Sequence, residues 1–175
     1  MKPKRTNLAD KIVSRERAAE IVAGLRRQGK RVVFANGCFD LLHAGHVRFL
    51  EQARALGDLL VVGLNSDESV RTLKGAGRPI LPEGERAQLL AALASVDLVI
   101  VFPEMRVTPL LELLRPEVFA KGCDYTLENM DQGERRCVES YGGEIAFLPT
   151  PRFTSSSAMI ERIAALHAVE TTKGE

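Results

Sequence analysis

The sequence predicts a single α/β domain with a mainly five-stranded parallel sheet and helices on both faces. Short apolar runs alternate along the chain with longer segments of helical spacing, and this order is typical of β-α-β units. Each run is apolar throughout rather than at every second residue, as expected of strands that are buried on both faces. The chain has 175 residues, of which 45% are hydrophobic, so it is long enough for one sizeable core.

The predicted strands are short runs rich in Val, Ile, Leu and Phe, at residues 31–35, 59–64, 97–102, 118–120 and 144–148. The predicted helices lie between and after them, at residues 14–28, 83–94, 107–114, 131–141 and 154–168. A further helix is expected to begin near His46 and to end at Gly57. Ser14 is a favourable N-cap for the first helix, and Gly29 ends it. Three Gly and two Pro in residues 74–84 predict a mobile loop or one shaped by a ligand.

Charge and composition exclude several classes of function. Lys and Arg total 24 against 23 for Asp and Glu, so no broad basic surface for nucleic acid or a membrane is expected. No apolar run approaches the roughly 20 residues of a membrane span, and the first ten residues lack the apolar stretch of a secretory signal. Three widely spaced cysteines argue against a disulfide scaffold. We therefore expect a cytoplasmic protein with one domain over residues 10–168 and flexible tails at 1–9 and 169–175.

A polar, glycine-rich segment follows the first predicted strand. It reads Asn-Gly-Cys-Phe-Asp-Leu-Leu-His-Ala-Gly-His over residues 36–46. Ligands of open parallel sheets bind beyond the carboxyl ends of the strands, so this segment is the first candidate for a site. His43 and His46 lie at the start of a helix, where free N–H groups and the helix dipole favour phosphate. Gly37 and Gly45 allow a phosphate to approach the backbone closely.

Two other interpretations of these histidines remain open at this point. One is that they only cap the helix. The other is a zinc site formed by His43, His46 and Cys38, although no further Cys or His lies at a suitable spacing.

A second phosphate-binding helix start is predicted near the end of the chain. Four hydroxyl residues in a row, Thr154, Ser155, Ser156 and Ser157, open the last predicted helix. A helix cap needs only one hydroxyl, so the run favours contacts to phosphate from hydroxyls and free N–H groups. A plain Ser/Thr cap is the alternative.

Further motifs follow in order at residues 63–70 (GLNSDESV), 74–79 (KGAGRP), 85–86 (ER), 121–125 (KGCDY) and 154–157 (TSSS). Together with the His-x-Gly-His segment they resemble the nucleotidyltransferase superfamily that is named for this motif. Within that superfamily the chain resembles the adenylyltransferase half of bifunctional ADP-heptose synthases, over about residues 10–165. The sugar-kinase half of those proteins is missing, so the stand-alone form of the enzyme is expected.

The resemblance implies a Rossmann-like nucleotidyltransferase domain and a specific reaction. ATP and D-glycero-β-D-manno-heptose 1-phosphate would give ADP-heptose and pyrophosphate, in biosynthesis of the lipopolysaccharide core. ATP is then a substrate, and Mg²⁺ is expected as a cofactor held mainly by ATP phosphates, with no firm protein ligand. Both substrates are small molecules, no nucleic-acid or membrane partner is expected, and a homo-oligomer, a dimer or larger, is expected.

The resemblance also assigns roles to residues. Those expected to be catalytic are His43, His46 and Lys74. Those expected to bind the nucleotide are Asn36, Gly37, Cys38, Phe39, Asp40, Gly45, Lys121, Gly122, Asp124, Thr154, Ser155, Ser156 and Ser157. Those expected to bind the sugar phosphate are Asp67, Arg78 and Arg86. A sugar phosphate is already an anion at neutral pH and needs no general base, so the histidines are expected to act as donors to the reacting phosphate.

Alternatives stay open for individual residues and for the function. Asp40 either fixes the loop that carries the His-x-Gly-His motif or holds Mg²⁺ through water, and Asp67 either contacts the sugar or caps the helix that starts there. Arg78 and Arg86 suit exposed salt bridges equally well, and Lys74 could be a solvated loop residue. The alternative functions are a cytidylyltransferase for glycerol 3-phosphate or another small phosphate, and a non-catalytic nucleotide-sensing module.

Overall fold

Five parallel strands form a single sheet. They are β1 (Val32–Gly37), β2 (Leu59–Asn65), β3 (Leu98–Phe102), β4 (Val118–Gly122) and β5 (Glu144–Leu148). Their spatial order is β3-β2-β1-β4-β5, and all neighbours are parallel. The computed structural model describes residues 7–149 and 155–172, with side chains up to residue 166. The five predicted strands are confirmed, and β1 extends two residues further than predicted because Asn36 and Gly37 still pair with β2.

Seven α-helices follow a short 3-10 helix at Leu8–Asp10 in the described part of the chain. They are α1 (Arg15–Arg26), α2 (Ala44–Arg54), α3 (Asp67–Lys74), α4 (Glu83–Ala92), α5 (Thr108–Leu114), α6 (Gln132–Ser140) and α7 (Ser156–Thr172). None of them is long and apolar enough to span a bilayer.

Most ends of the predicted helices differ from the structure by one to four residues, and two of these differences have a clear cause. α2 begins at Ala44 rather than near His46, because the His43 side chain caps it. α7 continues to Thr172, past the predicted end of the domain at 168, since no Gly or Pro interrupts it. The hydroxyl run at the start of α7 is described only from Ser155 onward, so Thr154 lies outside the described residues.

Helices cover both faces of the sheet, as predicted. α2 and α4 pack on one face through buried side chains such as Leu50 and Leu90. α1, α5 and α6 pack on the other face through Val22, Leu111 and Val138. Burying one such aliphatic side chain contributes about 1.5–3 kcal/mol. These two layers hold the strands firmly, so the strand ends offer a rigid platform for a site.

Candidate active site

A cleft of about 1040 Å³ opens at the carboxyl ends of the central strands. β1 pairs with β2 as far as Gly37, which lies opposite Leu64. It pairs with β4 only as far as Ala35, opposite Ala120. β1 and β4 therefore diverge at their carboxyl ends. The strand order reverses between these two strands, because β2 and β3 lie on one side of β1 and β4 and β5 lie on the other. Ligands of open parallel sheets bind at such a point.

The cleft brings together most of the residues predicted for the site. Its lining includes the three predicted catalytic residues, His43, His46 and Lys74. From the other predicted groups it includes Asn36, Gly37, Cys38, Phe39, Asp40, Gly45, Arg78, Lys121, Gly122, Asp124, Ser155, Ser156 and Ser157. Asp67 and Arg86 do not line it. Residues from motifs that are separate in the sequence thus line one cleft.

The two histidines stack on each other at the start of α2. Their ring centroids lie 3.8 Å apart, and the ring of Phe39 meets His46 edge-on with centroids 5.3 Å apart. His43 Nδ1 accepts a hydrogen bond of 3.1 Å from the Gly45 amide. The capping interpretation therefore holds for His43. His46 Nδ1 is buried and has no hydrogen-bond partner among the described residues.

Both imidazoles are held in the neutral form at pH 7. Burial lowers the pKa of His43 below its usual value. Burial, together with the charges of His43 and Lys74, lowers the pKa of His46 to about 4. Because Nδ1 of a neutral His43 accepts a hydrogen bond, its proton must be on Nε2. The pair therefore offers neutral N–H donors rather than positive charge.

The lowered pKa of His46 makes stability depend on pH. The unfolded chain protonates this ring near pH 6.5, whereas the folded protein does so only near pH 4. The stabilisation is therefore present above pH 6.5 and is lost as the pH falls toward 4. Between pH 7 and 4 we expect wild type to lose up to about 3 kcal/mol more free energy of unfolding than His46→Gln, measured by urea denaturation. An equal loss in both proteins would contradict a buried neutral ring.

Asp40 connects two loops by hydrogen bonds. One is the loop before α2, which carries the His-x-Gly-His motif, and the other follows α3. Its carboxylate accepts hydrogen bonds from Arg78 Nε at 2.7 Å, from the Ile80 amide at 2.9 Å and from the Leu81 amide at 3.1 Å. Burial by itself would raise the pKa of this carboxyl, but the two amides and Arg78 outweigh it and lower the pKa. The loop-fixing alternative for Asp40 is therefore the one observed. Arg78 reaches the cleft as the partner of that carboxylate.

The start of α7 is hydrogen-bonded to the same loop before α2. Ser156 Oγ donates a hydrogen bond to the Asp40 carbonyl. Ser155 Oγ accepts from the Ala158 amide at 3.1 Å, as an N-cap does. Two of the hydroxyls predicted to contact phosphate are thus engaged within the protein, while the helix start itself faces the cleft.

Arg86 lies beneath the cleft rather than in it. Its side chain is fully buried. The guanidinium donates to the carbonyls of Leu81, Cys38 and Asn65 at 2.9, 2.6 and 2.9 Å. It also pairs with the Asp67 carboxylate at 2.6 Å. The structure does not place Arg86 and Asp67 for the predicted sugar-phosphate contact, because the fully buried guanidinium is bonded to three carbonyls and to the Asp67 carboxylate beneath the cleft.

Other residues of the cleft were missed by the sequence analysis. They are Phe49, Asn65, Leu73, Met105, Arg106, Cys123, Tyr125, Asn129, Met130, Asp131, Glu134 and Ala158. Tyr125 belongs to the KGCDY motif, so the sequence did contain a signal by which it could have been predicted. Glu134 follows no sequence pattern, yet its Oε2 lies 2.8 Å from Lys121 Nζ. Burial lowers the pKa of Lys121, and Glu134 opposes this shift.

Comparison with known proteins identifies the family. Residues 34–162 match the family described as cytidylyltransferase-like. The chain belongs to this family. The prediction of a nucleotidyltransferase is therefore confirmed, and the cleft of this cytidylyltransferase-like chain is the place where its chemistry is expected.

Two relatives are similar to the cytidylyltransferase-like chain over most of its length. The bifunctional protein HldE of Syntrophotalea carbinolica is 50% identical over 153 residues, and that of Geobacter sulfurreducens is 51% identical over 152 residues. Each match covers 87% of this chain and 31% of the relative. The chain thus spans about a third of the length of these relatives.

Solved structures confirm the predicted fold. The lipopolysaccharide core biosynthesis protein from Thermoplasma volcanium is 29% identical, with a TM-score of 0.60 over 70% of this cytidylyltransferase-like chain and 98% of that chain. The pantoate-beta-alanine ligase from Francisella tularensis is 15% identical, with a TM-score of 0.53 over 81% and 67% of the two chains. At that identity the ligase shows a shared fold alone.

Proposed function

We propose that this chain transfers the adenylyl group of ATP to D-glycero-β-D-manno-heptose 1-phosphate, giving ADP-heptose and pyrophosphate. The observation that carries the proposal is the single cleft in which His43, His46, Lys74 and the start of α7 meet. The similarity to the HldE proteins and to a lipopolysaccharide core biosynthesis protein supports the choice of pathway. The resemblance of the KGCDY and KGAGRP motifs supports the choice of sugar.

The proposed reaction needs alignment and charge stabilisation rather than a base. An oxygen of the sugar phosphate attacks the α-phosphorus of ATP, and a new O–P bond forms. The bond from that phosphorus to the oxygen bridging to the β-phosphorus breaks, and pyrophosphate leaves with that oxygen. Because the attacking phosphate is already ionised, no proton has to be removed from it.

The histidine pair suits stabilisation of the reacting phosphate. Neutral imidazole N–H groups donate hydrogen bonds to oxygens that gain negative charge, and they are already positioned by stacking and by the cap at Gly45. The start of α2 adds backbone N–H groups and the positive end of the helix dipole. Lys74 lies at the end of α3 and lines the same cleft. It supplies positive charge for the departing pyrophosphate.

Magnesium enters this proposal together with ATP. Three carboxylates of the cleft are held by cations: Asp40 by Arg78, Glu134 by Lys121 and Asp131 by Arg106. Among the residues that the structure describes, no group of three His, Cys, Asp or Glu side chains could hold a metal ion. The proposal is that the ion is bound mainly through phosphate oxygens and water, where it neutralises charge on the triphosphate.

We further propose that the enzyme acts in the cytoplasm as a homo-oligomer. Ile163 and Leu166 on α7 are each 60% exposed, and an apolar helix face of this kind suits contact with a second copy. Both substrates are small, charged molecules, and the near-zero net charge of the chain favours no polyanionic partner.

A pyrophosphate-release assay tests the proposed reaction directly. ATP and CTP are each combined with the heptose 1-phosphate and with glycerol 3-phosphate. Release only with ATP and the heptose phosphate is the expected result. Release with CTP and glycerol 3-phosphate would retain the mechanism and overturn the substrate assignment. No release in any combination would favour a nucleotide-sensing module.

Lys74 offers a test of the phosphate-binding side of the cleft. We expect Lys74→Ala to lower kcat/KM about 10- to 100-fold, because a charge-assisted hydrogen bond to phosphate is lost. Steady-state kinetics separate an effect on KM from one on kcat. Lys30→Ala removes an exposed lysine paired with Asp58 away from the cleft and is the control. Unchanged kcat and KM in Lys74→Ala would make this lysine a solvated surface residue.

A further inference from the structure

Asn65 is a buried amide side chain in the cleft that the proposed mechanism does not use. It is the last residue of β2, and it is only 4% exposed. It nevertheless lines the cleft. Because buried polar groups normally find hydrogen-bond partners within the protein, the partners of this amide show whether packing alone accounts for it.

The nitrogen of the amide and the backbone of Asn65 are both held in place. Asn65 Nδ2 donates a hydrogen bond of 3.0 Å to Ser69 Oγ. Ser69 Oγ itself donates to the Ser66 carbonyl at 3.4 Å, so it is an acceptor toward the amide and faces its nitrogen rather than its oxygen. The Asn65 carbonyl accepts a hydrogen bond of 2.9 Å from Arg86. The side chain is therefore fixed before any ligand binds.

The oxygen of the amide has no such partner. No described residue donates a hydrogen bond to Asn65 Oδ1. In the described part of the chain, the unpartnered side-chain nitrogen and oxygen atoms that are closed to solvent belong to His46, Gln52 and Tyr141. Asn65 Oδ1 is not among these atoms, so it is open to the cleft. A fixed acceptor on an almost fully buried side chain is thus available to a ligand.

The free oxygen determines which group of a ligand can bind to it. An amide oxygen only accepts hydrogen bonds, so its partner must carry a hydrogen atom. A phosphate monoester is mostly ionised at neutral pH, and its oxygens are themselves acceptors. A hydroxyl group can donate to Oδ1 without any charge on either side. The amide therefore suits a hydroxyl of a ligand rather than its phosphate.

The position of Asn65 indicates which substrate supplies the hydroxyl. β2 and β4 lie on opposite sides of β1 in the sheet. Lys121, Gly122 and Asp124, at and after the end of β4, are expected to bind the nucleotide. The start of α2, where we expect the reacting phosphate, follows β1 between them. The β2 side is therefore left for the phosphate ester that attacks the nucleotide.

We propose that Asn65 Oδ1 accepts a hydrogen bond from a hydroxyl group of the acceptor substrate and thereby determines specificity for that substrate. The inference rests on the proposed transfer to a sugar phosphate for the identity of the acceptor. A site built around a hydroxyl rejects an analogue that lacks it, because the buried oxygen is then left unpaired. Asn65 is a binding residue in this proposal and takes no part in the chemical step.

Titration of the wild type tests the inference without turnover. Isothermal titration compares the heptose 1-phosphate with a series of analogues that each lack one ring hydroxyl. Removal of one particular hydroxyl is expected to weaken binding about 10- to 100-fold. A nucleotide with a methylene group between its α- and β-phosphates is titrated in parallel and reports on the β4 side. A wild type that binds every analogue within about twofold of the full sugar phosphate would overturn the inference.

Asn65→Leu removes the acceptor and keeps a side chain of similar size. This variant should bind the full sugar phosphate about 10- to 100-fold more weakly than wild type. It should bind the critical analogue and the full substrate within about twofold of each other, because the oxygen that distinguished them is gone. Its affinity for the nucleotide should not change. Asn7→Leu alters an asparagine that caps the short 3-10 helix, outside the cleft lining, and is the matched control.

A second variant covers the case in which Asn65→Leu does not fold. The single substitution leaves the Ser69 hydroxyl without the amide that bonds to it, whereas Asn65→Leu/Ser69→Ala removes both partners and leaves neither unsatisfied. A folded single or double variant that keeps the wild-type preference for the critical hydroxyl would contradict the inference. A variant that loses affinity only for the nucleotide would contradict it as well.

The same titrations distinguish this inference from the proposed function. A wild type that binds glycerol 3-phosphate and not the heptose 1-phosphate would refute the proposed substrate. Glycerol 3-phosphate and propyl phosphate, which lacks its hydroxyls, then replace the sugar series. Loss of the preference for glycerol 3-phosphate in Asn65→Leu would support the role of Asn65, and an unchanged preference would overturn it.

Discussion

His43→Ala and His46→Ala are each expected to lower kcat by about 10²–10³-fold, the usual effect of removing one preorganised donor from a transition state. The two rings stack at 3.8 Å in the cleft and are neutral at pH 7. Their N–H groups gain strength as donors only when the phosphate becomes more negative, so KM should change less than kcat. Single-turnover measurement of pyrophosphate release checks this.

A second substitution separates catalysis from capping. His43 also caps α2, and loss of a cap costs about 0.5–2 kcal/mol. His43→Asn keeps a capping acceptor but lacks the Nε2 donor, so it should restore stability without restoring turnover. Glu51→Ala, on the exposed side of α2, is the control for the helix itself. If His43→Asn were nearly as active as wild type, His43 would be a cap and not a catalytic residue.

Arg86→Met is expected to reduce the free energy of unfolding by about 3–5 kcal/mol, the range found when one partner of a buried ion pair is removed. The variant leaves three carbonyl oxygens, those of Cys38, Asn65 and Leu81, without their donor. It also leaves the Asp67 carboxylate without its cation. Urea denaturation followed by far-UV circular dichroism measures the effect.

An exposed arginine provides the comparison for this result. Arg17 pairs with Glu20 one helical turn away, and its side chain is 62% exposed. Arg17→Met should therefore change the free energy of unfolding by less than about 1 kcal/mol. If Arg86→Met were equally mild but raised KM for the sugar phosphate, Arg86 would belong to the binding site after all.

Much of the site could be predicted from the sequence because its signals are local. A continuously apolar run predicts a buried strand, and the polar segment after it marks the carboxyl end where ligands bind. Residues 36–46 could be placed in this way, and the serines at the start of α7 could be found from their row of hydroxyls. The structure brings both to one cleft. His43 and His46 lie at the start of one helix, so local sequence spacing was enough to identify them as site candidates.

The sequence by itself determined the alternation of strands and helices and the motifs at the strand ends. Tertiary structure alone decided which charged side chains face the ligand. Arg86 and Asp67 belong to motifs of the family, yet the fold buries this arginine against carbonyls up to 48 residues away. Glu134 has no motif, yet α6 places it beside Lys121. Burial and pairing of a charge depend on distant segments that meet only in the folded chain, so local spacing does not reveal them.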